Sequence, residues 1–158
     1  MNILRVTVVF VVLISNMVSC GPGIDSDLRP FVRMKSEKDA ALFLQKPIEE
    51  QIEIYLRVVA LPLKPPDYSL SGVIAVRDGD IGPVLSDRIK HEKDVEKLTS
   101  LLRLAGQFCQ LNGACQGEGF LEDSIKGALQ LIPDWHGNPY ISQNVEWVSE
   151  RVNKAARP

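Results

Sequence analysis

"DIGPVLSDRIKHEKDVEKLTSLLRLAGQF", Asp80 to Phe108, is the most informative internal stretch of the chain. Ile81, Val84, Leu85 and Ile89 recur at spacings that gather side chains on one face of a helix. After "KHEK" stands Asp94, whose short carboxylate can accept the first unpaired amides of a new helix. Val95, Leu98, Leu102, Ala105 and Cys109 then step by three and four, as a helix packed along one side should. The stretch therefore predicts two helices joined by a tight acidic turn.

The same periodicity continues in both directions. Upstream, "SEKDAALFLQK" offers Ser36 as an N-cap with Asp39 three residues on, an acidic form of the capping box. Pro47 sits where a first helical residue belongs, and Ile48, Ile52, Tyr55, Leu56 and Val59 form an apolar stripe behind it. Glu49, Glu50 and Glu53 fill the early turns, where carboxylates suit the positive end of the helix dipole. Pro62, Pro65 and Pro66 in "LPLKPPD" stop that helix, because proline lacks the amide hydrogen and clashes with the preceding turn. Asp67 can cap a further helix, "YSLSGVIAVRD", ending at Gly79. The alternative for Val73 to Val76 is a short strand, although four residues cannot build a sheet alone. Downstream, "EGFLEDSIKGALQLI" carries Leu121, Ile125, Ala128, Leu129 and Ile132 at helical spacing. "PDWHGNP" breaks it, and "YISQNVEWVSERVNKA" closes with Ile141, Val145, Val148 and Val152. The expected fold is all-α.

Ile81 to Gly106 resembles a HEAT-type helical repeat: a short helix, a tight acidic turn, then a second helix ending near "LAG". Asp94 matches the family's aspartate before the second helix, and Leu101, Leu104, Ala105 and Gly106 match its small or apolar positions. Lys97 and Leu98 depart from it, standing where the pattern has an apolar residue followed by arginine. The resemblance implies antiparallel helix pairs stacked into a short right-handed solenoid that presents a binding surface. Residues 48–78 would be a degenerate earlier pair.

The N-terminus reads as an address. "MNILR" has one positive charge and precedes the apolar run Val6 to Ile14, then small and polar residues to Cys20, the three-part layout of a secretory signal. The run is well short of the ~20 residues that span a bilayer, which weighs against the alternative of an uncleaved anchor. "MVSC", Met17 to Cys20, resembles the lipobox of bacterial lipoprotein precursors, with Ser19 and Val18 fitting and Met17 standing where leucine is usual. The resemblance implies a diacylglycerol on the Cys20 thiol and cleavage before it. Gly21, rather than aspartate, follows the cysteine, which implies the outer membrane, facing the periplasm. "GPGIDSD" then reads as a flexible tether. The expected organisation is a signal peptide over residues 1–19, an acylated N-terminus and tether over 20–35, and a helical domain over 36–158.

Cys109 and Cys115 flank "QLNGA", which contains the turn dipeptide Asn112-Gly113. In the oxidising compartment that the lipobox implies, they can close a small disulfide loop. The alternative is two reduced, separately buried thiols. With Cys20 acylated, the odd cysteine count divides into one lipid handle and one bridge.

Chemistry is sparse. The net charge of −2 becomes −3 once residues 1–19 and their single charge, Arg5, are removed, and neither value suits a nucleic-acid partner. His91 and Asp94 could share a metal in principle, but there is no HExxH pattern and solvated turn residues are the plainer reading. His136 lies in a loop beside Trp135 and Tyr140, residue types that anchor interfaces. The alternative there has Trp135 closing the end of the core, with His136 simply exposed. No GxSxG turn, GxGxxG or Walker loop occurs, and "GEGF" at Gly117 to Phe120 is too short and acidic to cradle phosphate. No catalytic residue, metal ligand or cofactor site is expected. Two functions stay open. One is a helical module, an immunity or adaptor protein for example, that holds an envelope protein through Trp135, His136 and Tyr140. The other is an envelope enzyme or subunit acting on cell wall or lipid.

Overall fold

The computed structural model describes residues 24–34, 36–76, 81–112, 119–132 and 134–155. It is all-helical: α1 Glu37–Leu44, α2 Ile48–Val59, α3 Ser69–Ala75, α4 Ile81–His91, α5 Val95–Asn112, α6 Gly119–Gln130 and α7 Pro139–Ala155, with a 3-10 turn at Trp135–Gly137. No strand occurs among the described residues, and none of their helices is long and apolar enough to cross a membrane.

The capping chemistry accounts for most of the helix starts. The Ser36 hydroxyl accepts the Asp39 amide at 3.1 Å. The Asp94 carboxylate accepts the amides of Glu96 and Lys97 at 2.9 and 3.0 Å. Asn138 does the same for Tyr140 and Ile141 at 3.0 and 3.2 Å. Pro47 stands one residue before α2, at the N-cap, rather than as its first helical residue. Asp67 stands one residue before the N-cap of α3, which is Tyr68, rather than at it; one Asp67 carboxylate oxygen accepts the Ser69 amide at 3.0 Å, and the other accepts the Arg33 amide. The helix it starts is shorter than expected, ending at Ala75, and the strand alternative fails because Val73 to Ala75 are helical.

The helices pack in two rows. In one, α5 lies between α3 and α7; in the other, α4 packs closely on α6; α2 touches both rows, through α3 and α5 and more lightly through α4. The extensive contacts thus join alternate helices, while the consecutive pair α4 and α5 touch less. This explains one departure from the one-sided stripe read for α5. Leu101, Leu104 and Phe108 are buried along with Leu98, Leu102, Ala105 and Cys109, because α5 has neighbours on several sides. Tyr55 of α2 ties the rows together, its hydroxyl donating to the Ser100 carbonyl of α5 at 3.0 Å. Burial pushes the pKa of that phenol well above its ordinary value, so it stays protonated and able to donate. Between α5 and α7 the approach is close enough to require glycine. A methyl group on Gly106 would stand 1.7 Å from Cζ3 of Trp147.

The segment read as a tether over residues 20–35 needs correction from Ile24 onward. Leu28 and Phe31 are buried, and the Phe31 ring packs against that of Phe43 in α1 with centroids 5.6 Å apart. Arg57 of α2 pairs with Asp25 at 3.2 Å and with Asp27 at 2.8 Å. Two apolar anchors and two ion pairs hold this stretch on the domain. The reading missed them because "DSDLRPFVRM" spreads its apolar residues among polar ones without a sustained period.

Candidate functional site

The starts of α3, α5 and α7 meet at one edge of the fold and surround a cleft of about 480 Å³. Pro66 and Tyr68 come from the approach to α3, Val95, Glu96, Thr99 and Ser100 from the first turns of α5, and Asn138 and Tyr140 from the entry to α7. Val59, at the end of α2, completes the wall. A smaller cleft lies next to it along α5 and shares Val59, Glu96 and Ser100.

Each wall is placed by a local device already described. Asp67 fixes the loop before α3 and hence the position of Tyr68. Burial works to raise the Asp67 pKa, but the amides of Ser69 and Arg33, with help from the Ser69 hydroxyl and the Arg33 charge, hold it below the ordinary carboxylate value. The Tyr68 ring carries the Arg103 guanidinium over one face, 4.0 Å from the centroid. Asn138 caps α7 and sets Tyr140, 70% exposed, at the mouth. The two hydroxyls of the α5 wall are turned onto their own helix. The Thr99 hydroxyl donates to the Val95 carbonyl at 2.8 Å and the Ser100 hydroxyl to the Glu96 carbonyl at 3.0 Å.

Of the three residues singled out as a partner-binding group, only Tyr140 is in this wall. Trp135 is half-buried against the core, as the core-closing alternative had it, and exposed His136 stacks on its ring with centroids 3.6 Å apart. His91 does not reach Asp94. Its Nδ1 lies 3.3 Å from Asp87 one turn earlier, and both side chains are exposed. Among the described residues no group of three or more His, Cys, Asp or Glu is placed to hold a metal. Cys109 is buried in the last turns of α5, while Cys20 and Cys115 lie outside the described residues, as do the lipobox and residues 1–19.

A second cleft, of about 200 Å³, separates α6 from α7 and is floored by Ile125, Leu129, Val145 and Val148. Its rim charges, Glu122 and Lys126, are already paired at 2.9 Å. Sequence reasoning missed Tyr68, Pro66 and Glu96 as a group because nothing local links positions 66–68, 95–100 and 138–140. Only the packing of α3 and α7 on α5 brings them together. The chain matched no protein-family model, no curated protein and no solved structure.

Proposed function

We propose that this chain is a bacterial envelope lipoprotein whose helical domain binds another protein. The cleft at the starts of α3, α5 and α7 carries the reading. It is lined chiefly by apolar and aromatic side chains, and Tyr140 stands 70% exposed at its edge. An exposed tyrosine combines large apolar area with a hydrogen-bonding tip at small entropic cost, which suits an interface anchor.

In this reading the lipid sits on Cys20, the domain faces the periplasm from the outer membrane, and an immunity or adaptor role is the specific form. Cys109 and Cys115 form a disulfide. The two rows of helices form a short HEAT-like solenoid, with the cleft on its edge. A photoreactive phenylalanine analogue at position 140, in cells of the native host, tests the binding reading. One defined protein adduct is expected at position 140 and none at exposed Glu49 of α2. No adduct, or the same diffuse labelling at both positions, would overturn it.

A further inference from the structure

Resting on the binding reading, we infer that the cleft takes a lysine or arginine side chain of the partner, presented between apolar residues. Most polar groups in the wall are already engaged. Thr99 and Ser100 spend their hydroxyls on carbonyls of their own helix, and the Asn138 side-chain oxygen caps α7. Glu96 is the one charged residue in the lining, it is exposed, and its carboxylate has no ion pair among the described residues. A single carboxylate, in a wall whose other polar side chains are engaged on their own helices, selects for a cation and penalises an acidic group in the same position.

The Tyr68 ring already holds the Arg103 guanidinium over one face, which leaves Tyr140 as the aromatic surface for an incoming charge. The Tyr140 ring, also part of the lining, is 70% exposed. A long basic side chain would lay its methylene stem along Val59 and Val95 and bring its charge to Glu96 and Tyr140. The neighbouring cleft along α5 would take the residues that follow it in the partner.

Titration of the full-length chain in detergent micelles with the peptide Ala-Leu-Arg-Leu-Ala, followed by tyrosine-ring NMR, tests this. Saturable shifts of the Tyr68 and Tyr140 rings are expected. Citrulline in place of arginine keeps the shape and removes the charge, and should weaken binding about tenfold or more. Glu96→Gln should cost a similar factor, while Glu49→Gln should change nothing. Equal binding of the citrulline peptide, or an unaltered Glu96→Gln affinity, would overturn the inference. So would the absence of ring shifts at millimolar peptide. A position-140 adduct in cells together with any of those results would leave the binding reading standing and remove only the cationic occupant.

Discussion

At the scale of single residues, Gly106 shows two physical effects set against each other. Alanine is favoured over glycine within a helix by about 1 kcal/mol. Here the added methyl group would meet the Trp147 ring at 1.7 Å, so α7 must shift or the indole must leave its place. Overpacking of this kind costs roughly 1–3 kcal/mol, and the ring is broad and held between two helices, so the steric term should win. Gly106→Ala is expected to lower the urea midpoint of unfolding. In a Trp147→Leu background the same change should be neutral or stabilising, because only the propensity gain remains. Equal destabilisation in both backgrounds would show that the indole is not what requires glycine. The sequence displays Gly106 plainly in "LAG", but its reason lies on a helix some forty positions away.

At the scale of elements, Asp67 joins the docked N-terminal segment to the start of α3 through two backbone amides. Asp67→Ala should cost about 1–2 kcal/mol, the range for losing a helix cap with its hydrogen bonds. The pH dependence has a definite sign. The folded pKa lies below the ordinary value of 3.8, so the carboxylate's contribution is complete above that value. It is lost as the pH falls through 3.8 towards the lower folded value, because the proton then displaces the charge that the amides favour. Urea unfolding near neutral pH should separate the wild type from Asp67→Ala, and the two curves should converge in acid. A gap of constant size would mean that the carboxylate charge is not the stabilising form. How far elements were legible follows from their chemistry. Ser36 and Asp94 announce their helices because capping is local, and α2 announces its end through Pro62. The wide buried face of α5 was not legible from its stripe, since Leu101, Leu104 and Phe108 fall off that stripe and are buried too. Likewise Tyr140 could be named and its companions Tyr68 and Glu96 could not.

At the scale of the whole molecule, the all-helical architecture follows from periodicity sustained from Ser36 onward, whereas the address rests on residues before Ile24. Cys20→Ala should abolish incorporation of labelled fatty acid and leave precursor or released protein. A membrane-bound, acylated product from that variant would remove the lipoprotein reading. The docking of Leu28 and Phe31 has a consequence for such an anchored protein. Between Cys20 and Ile24 the chain can span at most about 14 Å. With the lipid on Cys20, as proposed, the domain would be on a short leash, held just above the headgroups and open only to partners that come close to the bilayer.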